Sequence, residues 1–248
     1  MNQSFYIGAG GASQFQQRLN VQGDNIANVN SHGFKASSGR FASLMYANMV
    51  GIDDAQLPAG TGANMMMTTT NFRSGPISST GRMQDYYIDG RGFFAVVDMA
   101  TNEISLTRNG AFSMAEYQRP TGETDENGQP VLETIFCLSD GQGRFVLSDR
   151  GGLIEMTDSN EKQPVGIFDC ENYDGIGRLQ GTRFLPGDKQ GGLWMGTGKL
   201  VNGALEMSNV DLAEEITKVI ESQRAYGMAL KVVQTSDEIE TTINGLRS

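Results

Sequence analysis

The sequence has little of the chemistry that most enzyme and metal sites need. Only two cysteines, Cys137 and Cys170, and one histidine, His32, occur in 248 residues. Two isolated cysteines exclude a disulfide framework and a cysteine-based zinc site, and their spacing leaves open whether they pair. A single histidine excludes a multi-histidine metal site. We therefore expect no metal and no cofactor.

Catalytic motifs are equally scarce. The segment IGAGGA has the look of a dinucleotide-binding loop, but no strand precedes it and Ser13 replaces the third glycine. A Ser-His-Asp triad or a Cys-His pair would have to use His32, which has no nucleophile elbow nearby. Asp125, Asn127 and Gly128 hint at a calcium loop without the EF-hand spacing. We predict no enzyme and no small-molecule substrate, although the many carboxylates leave a glycan hydrolase open.

Charge and hydropathy exclude two classes of partner. The formal net charge is -10 and the isoelectric point is about 4.6. This acidic balance argues against nucleic acid, because phosphate binding needs clustered lysine and arginine, and against an anionic membrane surface. No stretch approaches the roughly 20 apolar residues of a membrane span. The N-terminal segment lacks a basic start followed by an apolar run, so we expect no conventional signal peptide.

The N-terminal segment has the pattern of an amphipathic helix. Its apolar residues recur at steps of three or four residues, or at multiples of them, and share one face at roughly 100° per residue. They are Phe5, Ala9, Ala12, Leu19 and Ile26, with Phe15 at the margin. Four glycines within the segment weaken this helix. We predict that it ends near Asn28–Gly33, where Asn30 and Gly33 suit turn conformations.

The middle of the chain has the pattern of strands and turns. In residues 36–80, Phe41, Leu44 and Met45 are compatible with an extension of the first helix, and the following GIDDAQLPAGTGANMMMTTT with a loop or extended connector. In residues 81–198, short apolar runs alternate with Gly, Asn and Asp turns. ISLTRNGAFSM, for example, predicts a strand, an Asn-Gly turn and a second strand. This rhythm predicts an antiparallel sandwich or barrel-like domain.

The segment from Ser208 to Leu246 has the clearest helical pattern in the chain. Ser208 or Asn209 is the predicted N-cap, and acidic residues follow in the first turns. On a helical wheel the apolar residues form two stripes that lie roughly opposite each other. The first stripe contains Leu212, Ile216, Val219, Tyr226, Leu230 and Val233. The second contains Met228, Val232, Ile239, Ile243 and Leu246.

Two apolar stripes on one helix require burial on two sides. The N-terminal helix can cover one stripe, and either the β domain or neighbouring chains can cover the other. A subunit with helical ends and a β middle can stack its ends around an axis. Head-to-tail contacts that do not close then produce a filament.

Two long motifs, one near each terminus, resemble the signatures of a known family. DNIANVNSHGFK, residues 24–35, resembles the N-terminal signature of flagellar rod and hook proteins, and GALEMSNVDLAEEITKVIESQRAY, residues 203–226, resembles their C-terminal signature. Between them, GRGFFAVVD and LTRNGAFSM resemble the middle segments of the family, so the resemblance covers the whole chain. His32 departs from the small residue or proline that is usual before this glycine, which leaves the rod subtype open.

The resemblance implies a mainly β fold with helical termini. Residues 1–35 and 199–248 would form a discontinuous assembly domain in which the two helices pair like a coiled coil. Residues 36–80 would form a connector, and residues 81–198 a central antiparallel β domain. It also implies a place in the basal body of the flagellum, in the cell envelope, and export by the flagellar export apparatus without a cleaved signal peptide. The implied partners are the chain itself and other rod and hook proteins.

The motif residues have physical roles in such a subunit. Asn25 and Asn28 offer side-chain amides to the backbone near the helix end, Gly33 permits a tight turn, and Phe34 anchors it. Gln223 and Arg224 interrupt the apolar pattern, and we hypothesise that they set the register between helices, with solvated surface as the alternative. The predicted assembly interface consists of these residues, both stripes except Met228, and Phe5, Ala12, Phe15, Leu19 and Ile26.

The sequence therefore predicts a structural subunit of the flagellar basal-body rod. It would assemble through its terminal helices into a hollow axial shaft that transmits torque. The alternative from another class is a secreted β-domain module that binds cell-wall glycan. That alternative does not explain the paired terminal motifs.

Overall fold

The computed structural model describes residues 3–44, 47–50, 56–60, 62–124, 130–157, 162–187 and 189–246. This part of the chain is mainly β with one helix at each end, as the sequence predicted. The helices are α1 (Gln3–Ala27) and α2 (Leu212–Leu246). Met45 and the hinted calcium loop at Asp125, Asn127 and Gly128 lie outside the described residues. Neither α1 nor α2 is long and apolar enough to cross a membrane.

Short strands fill the sequence between the helices. In chain order they are β1 (Ser37–Ser43), β2 (Ala47–Val50), β3 (Gln56–Ala59), β4 (Ala63–Thr70), β5 (Ile77–Ser79), β6 (Tyr86–Asp89), β7 (Phe94–Asp98), β8 (Glu103–Thr107), β9 (Ser113–Thr124), β10 (Pro130–Ser139), β11 (Arg144–Val146), β12 (Phe168–Cys170), β13 (Gly177–Arg178), β14 (Arg183–Leu185), β15 (Leu193–Met195), β16 (Lys199–Asn202) and β17 (Ala204–Glu206). All pairings between these strands are antiparallel.

The chain divides into two compact units, each discontinuous in sequence. We call Met1–Val29, Ala36–Asn71 and Val210–Ser248 the helical unit, and Asn30–Lys35 with Phe72–Asn209 the β unit. The helical unit contains α1, α2 and β1 to β4. The β unit contains β5 to β17.

The helical unit carries a two-stranded ribbon on α1. Strand β1 pairs with β4, and the ribbon contacts α1 where the Phe15 and Phe41 rings lie 6.2 Å apart. The backbone N–H of Met65 also donates to the side-chain oxygen of Gln14. The suggested extension of the first helix through Phe41 was wrong. Strand pairing and the contact with Phe15 fix this β-compatible segment as a strand instead.

The β unit is built on a seven-stranded sheet in the order β13-β14-β8-β7-β11-β10-β9. Strand β7 lies near its centre and is buried on both faces, which explains the uninterrupted apolar run FFAVV. Phe94 and Val96 point to one core cluster. Phe93 and Ala95 point to the other.

The Asn-Gly pair at residues 109 and 110 does not form the predicted hairpin turn between two paired strands. Strands β8 and β9 are separated in the sheet by β7, β11 and β10. Gly110 instead lies against the backbone of Tyr86, whose N–H donates to the Gly110 carbonyl. A Cβ on Gly110 would lie 1.8 Å from the Tyr86 carbonyl oxygen. The glycine is therefore required by a close approach of two backbone segments.

Both cysteines are free thiols in the core of the β unit. Cys137 and Cys170 are each 0 % exposed. Burial raises the pKa of both thiols, with nearby carboxylates acting in the same direction. The two side chains are therefore held in the unreactive protonated form.

The close approach at Gly110 can be tested by substitution. Gly110→Ala should lower the free energy of unfolding by about 1–3 kcal/mol, because the added methyl group must displace the Tyr86 backbone. The measurement is urea denaturation followed by the fluorescence of Trp194, the only tryptophan. Gly177→Ala is the matched control, since a Cβ there would meet its nearest neighbour at 3.8 Å. Equal effects of the two substitutions would contradict the packing argument.

Candidate assembly interface

Helices α1 and α2 contact each other in antiparallel orientation within the helical unit. Early residues of α1 meet late residues of α2: the hydroxyl groups of Ser4 and Ser236 are 2.9 Å apart. Late residues of α1 meet early residues of α2: the Asn25 amide donates to Glu215 over 3.2 Å. We call this line of contact the seam.

The seam follows a seven-residue spacing on α2. On α2 the most buried positions recur every seven residues, at Glu215, Ser222 and Ser236, with Ala229 between the last two. On α1 the buried residues are Gly8, Ala12, Gln22 and Asn25, and the residues in contact with α2 include Ser4, Gly8, Gly11 and Asn25.

Small residues bring the two helices close together. A Cβ on Gly8 would lie 3.0 Å from Val233 and 3.2 Å from the Ala229 carbonyl oxygen, and a Cβ on Gly11 would touch Ala229. The distance between packed helices depends on the side chains at the contact, so glycine, alanine and serine allow a short one. Gly8 and Gly11, which weaken α1 as an isolated helix, thus serve its packing, whereas a Cβ on Gly10 or Gly23 would meet nothing within 4 Å.

Asn25 ties three elements of the helical unit together. Its side-chain NH2 donates to the Ser37 carbonyl of β1 over 2.8 Å, and its carbonyl oxygen accepts from the Ser37 N–H over 2.8 Å. The same NH2 group donates to Glu215 of α2. Glu215 also forms an ion pair with Lys218, so its buried carboxylate is fully engaged.

Asn28 caps the end of α1, as predicted. Its side chain donates to the Asp24 carbonyl over 2.9 Å, and the helix ends at Ala27. The N-cap of α2 was wrong by two to three residues. Asp211, and not Ser208 or Asn209, accepts from the N–H groups of Ala213 and Glu214.

The predicted first stripe of α2 is divided by the seam. Val219, Tyr226 and Val233 are half-buried there, while its other members remain exposed. We call the exposed apolar residues on this flank the front row: Leu212 (44 %), Ile216 (47 %), Ile220 (46 %) and Leu230 (38 %).

The second stripe of α2 is exposed throughout. We call it the rear row: Met228 (62 %), Val232 (43 %), Ile239 (52 %), Ile243 (52 %) and Leu246 (84 %). The predicted residues of α1 are divided in the same way. Ala12 is buried, Phe15, Leu19 and Ile26 are half-buried, and Phe5 is exposed. Gln223 and Arg224 are exposed beside the front row.

A second buried polar cluster joins the two terminal motifs inside the β unit. The Glu206 carboxylate forms ion pairs with Lys35 and with Arg108, the latter over 3.2 Å. The three side chains are 1 %, 0 % and 4 % exposed in that order. Burial lowers the pKa of Lys35, and Arg108 acts in the same direction against the pull of Glu206. Gly75 donates its N–H to the same carboxylate.

Gly33 and Phe34 hold the adjoining backbone in the β unit. Gly33 has a φ of +68°, a left-handed conformation that favours glycine, and its N–H donates to the Glu206 carbonyl over 2.7 Å. Phe34 is 1 % exposed and lies under the Arg178 guanidinium, 4.3 Å from the ring centroid. The predicted turn and anchor are therefore where the motif placed them.

Several residues of these clusters were missed from the sequence. Lys35 and Glu206 lie within the two motifs but look like surface charges when read alone, and Arg108 lies outside both. The seam had a visible signal in the seven-residue spacing of Glu215, Ser222, Ala229 and Ser236, which a search for apolar periodicity passes over. In the described ranges no group of three or more His, Cys, Asp or Glu side chains is placed to hold a metal ion.

The terminal elements match two family models. Residues 5–35, which span most of α1 and the Gly33 turn, match the flagella basal body rod protein family. Residues 201–246, which span β17 and α2, match the C-terminal region of the flagellar basal body rod FlgEFG proteins. Both buried polar clusters draw on these two matched regions.

Whole-chain relatives extend the match over the β unit. The chain is 34 % identical to the flagellar basal-body rod protein FlgG of Bacillus subtilis strain 168, with 96 % of this chain and 97 % of the relative aligned. It is 31 % identical to FlgG of Buchnera aphidicola from Schizaphis graminum, over 95 % and 96 %, and 29 % identical to FlgF of Caulobacter vibrioides, over 96 % and 95 %.

These matches define a class of structural proteins, not of enzymes. The chain belongs to the flagellar basal-body rod protein family. It is a structural subunit of the basal-body rod, located in the flagellar basal body among other rod and hook proteins. The alternative of a secreted glycan-binding module gains no support from the matches.

Removing the Asn25 amide should loosen the helical unit. Asn25→Ala leaves the buried Ser37 backbone and Glu215 short of partners, and we expect the free energy of unfolding to fall by about 2–3 kcal/mol. The measurement is urea denaturation followed by the helix signal in circular dichroism. Asn20→Ala, an exposed amide on the same helix, should change it by less than about 0.5 kcal/mol. A comparable loss of stability in the two variants would argue against the role of Asn25 in joining α1, β1 and α2.

Removing the charge of Glu206 should destabilise the β unit strongly. Glu206→Gln leaves Lys35 and Arg108 buried without a counter-charge, and we expect a loss of about 3–5 kcal/mol in the free energy of unfolding. Glu133→Gln breaks an exposed pair with Arg119 and should cost less than about 1 kcal/mol. Urea denaturation monitored by Trp194 compares the two. A loss below 1 kcal/mol for Glu206→Gln would rule out a structural role for the cluster.

Proposed function

We propose that this rod subunit assembles with copies of itself through its terminal helices into a hollow axial shaft that transmits torque. The observation that carries the proposal is the exposed apolar surface of α2. Nine large apolar side chains of the front and rear rows are between 38 % and 84 % exposed. Contiguous exposed apolar surface of this kind marks an interaction site.

The pairing of α1 with α2 in the manner of a coiled coil is part of the proposal. Its support is the seven-residue spacing of the buried positions on α2 and the antiparallel contacts from Ser4–Ser236 to Asn25–Glu215. Apolar knobs dominate an ordinary coiled coil. Here small and polar residues occupy many seam positions, which leaves much of the apolar surface of α2 for neighbouring chains.

Gln223 and Arg224 lie beside the front row and are suited to fixing the register between helices of neighbouring copies. Gln223 and Arg224 are exposed next to Ile216, Ile220 and Leu230. A polar group within an apolar contact favours the one alignment that gives it a partner. Residues Phe5, Leu19 and Ile26 of α1 would border the same interface.

Export by the flagellar export apparatus, without a cleaved signal peptide, is also proposed. Its support is the membership of the rod family, whose model matches residues 5–35 and so most of α1.

The proposal is tested by removing the rear row without unfolding the chain. Ile239→Ser combined with Ile243→Ser should leave helix content and thermal stability nearly unchanged, because both side chains are exposed. The double variant should no longer enter the rod, and cells that carry it as their sole copy should not swim. Immunogold labelling of isolated basal bodies with an antibody to the chain measures incorporation.

The matched control is Gln234→Ser combined with Thr241→Ser. These positions lie on the same helix, are exposed, and belong to neither row. This control should label the rod at the wild-type level. Normal incorporation of the rear-row variant, or label absent from the rod for the wild-type chain, would overturn assembly through the helices.

A further inference from the structure

We propose that α2 of one copy packs parallel to α2 of the next copy, with its front row on the neighbour's rear row, and that Arg224 of one copy pairs with Glu238 of the other. This inference rests on the proposed assembly through the helices. It adds the direction, the stagger and the charge pair of the contact.

The positions of the two rows favour a contact between the front row of one copy and the rear row of another over a contact between like rows. The seam with α1 lies between them, so the front and rear rows occupy opposite flanks of α2. A two-fold symmetric contact would join a row to the same row of its partner and leave the other row uncovered. A head-to-tail contact covers a front row with a rear row at every step, which continues without closing.

Helical symmetry fixes the relative direction of the two helices. In a filament generated by one repeated screw operation, every copy has the same polarity along the axis. With α2 aligned along the shaft axis, the α2 helices of neighbouring copies therefore run parallel. For helices aligned in this way, the symmetry excludes an antiparallel contact.

The stagger follows from the spacing of the rows. Leu212 and Met228, Ile216 and Val232, and Leu230 and Leu246 are each sixteen residues apart. Shifting one copy by this distance brings these three front-row residues level with three rear-row residues of its neighbour. At 1.5 Å per residue the shift is about 24 Å along the helix.

Opposite charges border the rows on the same outer flank of α2. Arg224 lies beside the front row, and Glu238 beside the rear row, roughly at the same angle around the helix and away from the seam. In a parallel pair with the front row facing the rear row, this flank of one copy adjoins the same flank of the other. With the sixteen-residue shift, Arg224 comes about 3 Å along the axis from Glu238, within reach of a long arginine.

Arg224 and Glu238 are both available for a contact between copies. Both are exposed, and within the described ranges neither takes part in an ion pair. They are fourteen residues apart on one helix, or about 21 Å. A pair between them inside a single chain is therefore impossible while α2 is intact.

Cysteine cross-linking tests the stagger in assembled rods. A chain with Ile216→Cys and Val232→Cys, expressed as the sole copy, should give a ladder of disulfide-linked multimers when basal bodies are oxidised and run without reductant. The native thiols are buried and should not react. The control chain with Ile216→Cys and Leu246→Cys should give no ladder, because in the proposed stagger these positions are about 21 Å apart and a disulfide needs Cα atoms within roughly 7 Å.

Charge reversal tests the pair independently of the cysteines. Arg224→Glu and Glu238→Arg should each reduce incorporation into the rod roughly tenfold, since like charges then meet between copies. The double variant should restore incorporation and swimming. Purified variants should keep the helix signal of the wild type in circular dichroism, which separates a contact defect from a folding defect.

The outcomes separate this inference from the function on which it rests. Rods that contain the cysteine chain but give no ladder, or single reversals that the double variant does not rescue, overturn the parallel stagger and leave assembly through the helices standing. If disruption of the rear row also leaves incorporation intact, the proposed assembly fails as well. A ladder together with rescue by the double reversal supports the inference.

Discussion

The buried carboxylate of Glu206 is the group on which the order of the β unit most depends. It binds Lys35, Arg108 and the Gly75 backbone, which come from three distant parts of the sequence. A charge removed from water requires all its partners, because each one lost leaves an uncompensated group in a medium of low dielectric constant. The Glu206 side chain therefore ties the segment that follows α1 to the segment that precedes α2, in addition to the backbone hydrogen bond from Gly33 to Glu206.

The helical unit follows a different principle, in which polar groups fix position and apolar groups face outwards. Along the seam, glycine, alanine and serine contribute little apolar burial, and Asn25 with Glu215 supplies a specific alignment through hydrogen bonds. Buried polar groups of this kind cost stability relative to apolar ones but favour one register. The apolar side chains that would make a stronger seam lie on the flanks of α2 instead. Within one copy, the seam therefore favours one register between α1 and α2 at the expense of apolar burial between them.

The sequence predicted the parts of this architecture that depend on local periodicity. The two helices, the β middle, the Gly33 turn and the Phe34 anchor follow from residue patterns and from the family motifs. The predictions at Phe41 and at the Asn109–Gly110 pair were wrong because residues far along the chain determine these conformations. Phe41 packs against Phe15, and Gly110 lies against the backbone of Tyr86. Lys35 and Glu206 could not be paired, since nothing local distinguishes a buried charge from a solvated one. The seven-residue spacing of the seam positions on α2 was visible in the sequence, but a search for apolar periodicity does not detect it because these residues are small or polar.

If the subunits assemble through the exposed rows of α2, as proposed above, these rows limit the concentration at which free copies can persist. Leu246 is 84 % exposed, and a free copy would present the same apolar surface in solution as at the growing end of a shaft. Any two free copies can therefore meet by the contact that extends the polymer, and starting new shafts competes with lengthening existing ones. Ordered growth at one end then requires that a free folded copy be short-lived, so the rate of supply becomes as important to the final structure as the shape of the subunit.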